Sequence, residues 1–387
     1  MDRRTREYLR GRFGDYYREA TLTSPPAADA REWGHIPFTE GGTTMVRHQS
    51  LLELGDLASF LAGEAPRHVY FSAARYDDPA TRDMDGKGWR GADLVFDLDA
   101  DHLPAVDPEK TSYEGMLAAC KEALQNLLDL LERDFGFDVE VVFSGSRGYH
   151  VHARDPSVRG LDATARREVV DYVRGAGLDV EGLVATRSVE GTTRRVLRAG
   201  GGWGRRVHGL LVDLASDLRE APEADALERL QSYDGIGEGR AETILTAFRR
   251  NPEAVRAGNL EAGGPGARVL VERLADEAVE RDSSPVDEPV TTDVNRLIRL
   301  PESLHGGTGL AVRRIDRADV AAFDPLTDAV PERFTGQEVR VEVTEPGSEP
   351  VTVGGGSFRP AAGEYVVREP VGVFLMARDR ARKVREA

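Results

Sequence analysis

Asp97-Leu98-Asp99 ends an apolar stretch, Leu94-Val95-Phe96. In a strand, residues two apart share a face, so both carboxylates project together with Leu98 behind them. Two close carboxylates repel unless positive charge lies between them, and a hard divalent cation meets that need. A second constellation, Phe143-Ser144-Gly145-Ser146-Arg147-Gly148-Tyr149-His150-Val151-His152, reads as strand, turn and returning strand. Its hydroxyls, glycine N–H groups and arginine suit phosphate oxygens, and His150 and His152 share one face. The third runs from Val286-Asp287-Glu288-Pro289-Val290-Thr291 to Arg296-Leu297-Ile298-Arg299-Leu300-Pro301-Glu302-Ser303-Leu304-His305-Gly306-Gly307-Thr308-Gly309. It supplies another acid, then an arginine beside an apolar strand, then a Ser/His/Gly/Thr loop. Taken singly, each also fits an ordinary structural reading: an acidic strand end, a tight hairpin, polar residues on an exposed loop. Asp101 and His102 fit solvent as well as a ligand, and His152 fits a packed strand residue.

The elements that position these groups are legible. Residues 92–99 read as one strand, 139–143 and 149–152 as a pair, and 67–72 as another β segment. Ser50–Leu61 has helical spacing. Ser112–Phe135 is a long amphipathic helix with Met116, Leu117, Cys120, Leu124, Leu127, Leu128 and Leu131 on its apolar stripe, stopped by Gly136. Cys120 is therefore a core thiol. Residues 217–282 are helical and rich in Ala, Glu and Arg, which sets them apart as an insertion within a discontinuous core of 1–216 and 283–387. Within it, Tyr233–Leu245 resembles a helix-hairpin-helix, which turns backbone N–H groups toward a DNA phosphate; a Gly-rich loop between packed helices is the alternative. Before it lie Arg187, Arg194, Arg195, Arg198, Arg205 and Arg206, with Trp203 among them. They suit a nucleic-acid backbone, with Trp203 stacking on a base, and equally a solvated loop. The tail after Pro325 is expected to be β-rich with Gly-rich turns.

Taken together and in order, Leu94–Asp99, Ser144–His150 and Arg299–Gly306 resemble the small catalytic subunit of archaeal and eukaryotic-type DNA primases. The resemblance covers roughly residues 30–315. It implies an α+β fold, a primase-polymerase core of mixed or antiparallel sheets flanked by helices. It further implies that Asp97, Asp99 and Asp287 bind catalytic metal, Mg²⁺ or Mn²⁺, with Asp287 preferred to Asp293. Ser146, Arg147 and His150 would bind the triphosphate of the incoming nucleotide, with Arg299 and His305 completing the pocket. Arg31-Glu32-Trp33 and Arg47 would lie near the site. The partners implied are single-stranded DNA template, nucleoside triphosphates and a large primase subunit forming a heterodimer. Many archaeal relatives carry a zinc knuckle after the Asp-x-Asp strand; here that interval offers only His102 and Cys120, so no structural zinc is expected. The activity implied is template-directed primer synthesis for replication. A related primase-polymerase of repair or end joining is the nearer alternative, and a non-catalytic DNA-binding protein the more distant one.

Composition sets the bounds. The chain has 387 residues, 67 acidic against 51 basic, and a formal net charge of -16. Of the basic residues only Lys87, Lys110, Lys121 and Lys383 are lysine. Such a balance suits a salt-packed cytoplasm, so a polyanion partner must be sought in local clusters. One cysteine excludes an internal disulfide framework. No apolar run approaches a membrane span, and Met1–Glu7 lacks the apolar core of a signal peptide. An intracellular, cytoplasmic protein without a membrane partner is expected.

Overall fold

Two four-stranded antiparallel sheets carry most of the chemistry-bearing residues. One is ordered Leu297–Arg299, His68–Ser72, Trp33–Ile36, Val46–Gln49; the other Arg313–Ile315, Val139–Phe143, Gly148–Ala153, Leu94–Asp99. The computed structural model describes residues 1–40, 44–189 and 192–385. They form an α+β protein that divides into two compact units, 1–124 with 138–167 and 286–387, and 125–137 with 168–285.

In the first unit, Asp93 splits the stretch expected as one strand. Trp89–Ala92 pairs with Ala74–Tyr76, while Leu94–Asp99 joins the second sheet. The physical reason is that Asp93 is buried and turns inward to meet Arg31, Arg75 and Arg154 at 2.6, 3.2 and 3.2 Å. Gly55, at φ 73°, likewise breaks the expected helix into Leu51–Leu54 and Leu57–Glu64. The long helix spans Tyr113–Arg133 and its apolar stripe is buried. Cys120 on that stripe donates to Leu98 O at 3.5 Å, so the helix covers the face of the Asp97 strand opposite its carboxylates.

The tail holds the sheet Gly363–Arg368, Glu338–Val343, Ala381–Lys383 and the hairpin Val351–Val353 with Gly356–Phe358. It also holds a helix that composition had disguised as strand, Glu369–Ala377. Its Val-Gly-Val-Phe-Leu-Met core is β-prone, yet all nine residues are buried, and a helix enclosed all round shows no amphipathic period.

The second unit is mainly helical and extends well before residue 217. Tyr172 packs on Phe135 and Trp203, and Ser284 N–H bonds to Val173 O, which ties residues 172 and 173 into this unit. Its hairpin of helices, Glu223–Gln231 and Glu238–Arg250, flanks the Tyr233–Gly237 turn. Trp203 is not a surface platform: it is 3% exposed and donates its indole N–H to Tyr172 O. Arg206 is likewise spent on Asp134 and Asp129, and Arg195 on Glu181. The side chain of Arg187 lies outside the described residues. Among the described residues, no helix is long and apolar enough to cross a membrane.

Candidate active site

The Asp97 strand and the His150 strand pair antiparallel, with Asp97 opposite His150 and Asp99 opposite Gly148. Directly opposed residues share a face, and His150 Nε2 lies 3.5 Å from Asp97 Oδ1. Gly148 is required by this pairing, because a Cβ there would sit 2.0 Å from Leu98 O. Asp287 arrives from far along the chain. As the N-cap of the short helix Glu288–Thr292, it donates its N–H to Asp97 O at 2.9 Å. Pro289, in the first turn, needs no intrahelical donor.

The electrostatics identify the strained member of this group. Burial, then the charges of Asp99 and Asp287, raise Asp97 from an ordinary 3.8 to about 7, against the opposing pull of Arg299 and Arg296. The three carboxylates are thus within electrostatic reach of one another. Among the described residues, no three His, Cys, Asp or Glu side chains are gathered closely enough to hold a metal ion as they stand. The donor chemistry nevertheless fits a hard divalent cation, since oxygen ligands whose charges oppose one another are relieved by it. Asp99 also caps the turn that follows, accepting from Asp101 N–H at 3.1 Å, while His102 is exposed.

The basic side is built from three segments. In the turn Ser144–Arg147, Gly145 takes φ 82° and abuts His305, where an added Cβ would lie 2.6 Å from the histidine Cβ. Thr308 Oγ1 donates to Gly145 O at 2.5 Å, locking this turn to the His305 loop. Arg147 pairs with Asp101, and the Ser146 carbonyl accepts from Tyr113 OH at 2.7 Å. Arg299 stands over the Tyr70 ring at 5.4 Å and donates to its hydroxyl at 3.2 Å. Burial, aided by the Arg299 charge, holds His150 down to about 3 and His305 well below its ordinary value. Both imidazoles are therefore neutral hydrogen-bonding groups, and the positive charge comes from arginine.

The sequence motifs alone do not reveal His68 and Tyr70. His68 is half-buried, its Nδ1 faces Arg299 Nη1 at 3.5 Å and accepts from Gly306 N–H at 3.4 Å, and its ring meets His305 edge-on at 4.9 Å. The signal was available: in His68-Val69-Tyr70-Phe71-Ser72 the polar rings alternate with apolar residues, placing both on the face that meets Arg299. His152, by contrast, is a packed residue, stacked on Phe71 with centroids 6.4 Å apart.

Arg31 and Glu32 are also structural. Arg31 is fully buried on Asp93 and backbone carbonyls, and Glu32 binds buried Lys87 at 2.6 Å. Arg47 is tied to Glu32 at 3.0 Å and remains partly exposed.

Clustered acids on a sheet edge, a tight Ser/Gly/Arg turn and a stacked arginine are the kinds of group that a nucleotidyl-transfer type of site needs. A family model described as DNA primase small subunit matches residues 96–317. The chain is 64% identical over 388 residues to the DNA primase small subunit PriS of Halorubrum lacusprofundi, and 58% over 395 residues to that of Haloarcula marismortui, covering all of each chain. It is 40% identical over 395 residues to the same subunit of Methanothrix thermoacetophila, with 98% of both chains covered. The chain belongs to the DNA primase small subunit family.

Proposed function

We propose that this chain is the catalytic subunit of a replicative DNA primase, joining nucleoside triphosphates into short primers on single-stranded DNA. The observation that carries this reading is the convergence of three distant segments: Asp97 beside His150, Asp287 bonded to Asp97 O, and Gly145 against His305. Family membership supports replication over a repair or end-joining role.

Asp97, Asp99 and Asp287 are the residues that would hold divalent cations, Mg²⁺ or Mn²⁺. Bound there, such ions supply charge neutralisation and a more acidic attacking 3′-hydroxyl. Arg147 and Arg299 face the phosphates with fixed positive charge, and Tyr70 with His68 keeps the Arg299 guanidinium from swinging away. His150 and His305, both neutral, donate hydrogen bonds to phosphate oxygens without adding charge that would trap the product. Ser146 and the backbone N–H groups of its turn complete the cradle. Each well-placed donor on the developing charge is worth about 3 kcal/mol. The bond from the 3′-oxygen to the α-phosphorus forms as pyrophosphate leaves with the electron pair of the broken bond. A large primase subunit as partner, a cytoplasmic location and the lack of a structural zinc belong to the same reading.

The test is the pair Asp97→Ala and Asp99→Ala, assayed for primer synthesis on single-stranded DNA with the large subunit present. Synthesis falls at least a thousandfold for either variant while the fold, followed by circular dichroism, persists. Full synthesis by both would end the reading.

A further inference from the structure

The helix Glu369–Ala377 is followed by Arg378, a residue outside all three motifs and outside the family match. Its guanidinium lies over the rings of Tyr113 at 5.0 Å and Phe374 at 5.3 Å. Among the described residues it has no carboxylate at ion-pair distance. Burial, with Arg147 and Arg380 close by, opposes its charge. These three arginines line one cavity of about 330 Å³, together with the hydroxyls of Ser112 and Thr352. Among the described residues that line it, the acids are Glu114 and Glu349. Arg147 gives one edge of its guanidinium to Asp101, but its buried Nε has no partner.

With Asp101 on Arg147 and the two glutamates at the lining, the charges balance in number, but Arg378 has no carboxylate at ion-pair distance, and a guanidinium so placed in a recess favours a small anion. Guanidinium forks match phosphate oxygens, and a fork already stacked on two rings loses little freedom on binding. The cavity is joined to the proposed phosphate turn, because Tyr113 forms its wall and donates its hydroxyl to Ser146 O. Arg147 belongs to both.

We propose that the recess bounded by Arg147, Arg378 and Arg380 is a second oxyanion subsite, which receives the pyrophosphate released by nucleotidyl transfer. This rests on reading Ser146 and Arg147 as triphosphate contacts. When the α-phosphorus changes its bond from the bridging oxygen to the 3′-oxygen, pyrophosphate departs with that bond's electrons and the 3′-hydroxyl proton passes to solvent. The departing anion then exchanges Arg147 for Arg378 and Arg380. A DNA strand is a poorer occupant, because the recess is a small concavity of about 330 Å³ walled by Tyr113 and Pro350.

The test titrates the full chain calorimetrically with inorganic pyrophosphate while saturating ATP, without template, holds the nucleotide site. Inorganic phosphate is titrated in a parallel arm. The wild type binds pyrophosphate under these conditions, and Arg378→Gln weakens that binding about tenfold more than it weakens ATP, as loss of a charge-assisted contact requires. Thr352→Asp, which places a negative charge in the recess without disturbing the Arg378 stack, gives the same selective loss if Arg378→Gln proves unstable. Pyrophosphate bound equally well by folded Arg378→Gln or Thr352→Asp overturns the subsite. So does inorganic phosphate binding as tightly as pyrophosphate. Neither result touches primer synthesis itself: a wild type that makes no primers sinks the proposed function instead.

Discussion

Asp97 is held half-buried beside two further carboxylates, and that placement has a measurable energetic consequence. Its folded-state value of about 7 lies above the ordinary 3.8, so the unfolded chain releases this proton first as pH rises. Folding therefore loses stability between about pH 4 and pH 7. At about 1.4 kcal/mol per pH unit the loss approaches roughly 4 kcal/mol in chelator at pH 8. Asp97→Asn removes the charge and keeps the shape. The variant should melt several degrees higher than the wild type at pH 8 in chelator, and the same as it at pH 4. Adding Mg²⁺ should stabilise the wild type and leave the variant almost unmoved. Equal melting temperatures at both pH values in chelator would show that the carboxylates do not oppose one another. His68 makes a related point: its neutral ring takes a bond from Gly306 and faces Arg299, so the loop and the arginine share one anchor.

Strand pairing decides which of these residues meet, and one buried acid sets where the pairing begins. Asp93, between Trp89–Ala92 and Leu94–Asp99, accepts from Arg31, Arg75 and Arg154. Asp93→Ala would leave fully buried Arg31 uncompensated, at a cost of about 3–5 kcal/mol. The check is the guanidinium chloride midpoint, and a loss below about 1 kcal/mol would show that the backbone carbonyls around Arg31 suffice. The Asp97, His150 and His305 segments were legible in the sequence because each couples a periodic apolar run to unusual polar residues. The long helix was legible for a similar reason, having one buried stripe. Two kinds of feature were hidden. The break at Asp93 depends on arginines 18 to 62 positions away in sequence, which no local pattern reports. The helix Glu369–Ala377 is enclosed on every side, so its apolar residues carry no period to distinguish helix from strand. Arg378 was missed with it, since only the helix's placement against Tyr113 gives that arginine its cavity.

Across the whole molecule, the charge of -16 divides into two populations with different responses to salt and acid. Buried pairs such as Glu32–Lys87 are shielded from solvent ions. Burial pushes Glu32 up, but Lys87 and Arg47 hold it below the usual carboxylate range. Its contribution is therefore complete above about pH 4.3 and is lost only as pH falls through its depressed value. The exposed acids behave differently. They repel one another at low salt, and at 1 M salt the Debye length shrinks to about 3 Å, so the repulsion is screened. The melting temperature at pH 7 should accordingly rise by several degrees as KCl is raised from low to molar concentration. Near pH 4 the exposed carboxylates begin to take up protons, so the same salt series should give a much smaller rise. A flat salt response at pH 7 would mean that the acidic surface imposes no strain on the fold. A rise of equal size at pH 4 would mean that salt acts through apolar burial instead of charge. The same screening weakens attraction to a phosphate backbone, and the arginines at the proposed site match that demand, since Arg299 and Arg378 are each held on an aromatic ring that salt cannot displace.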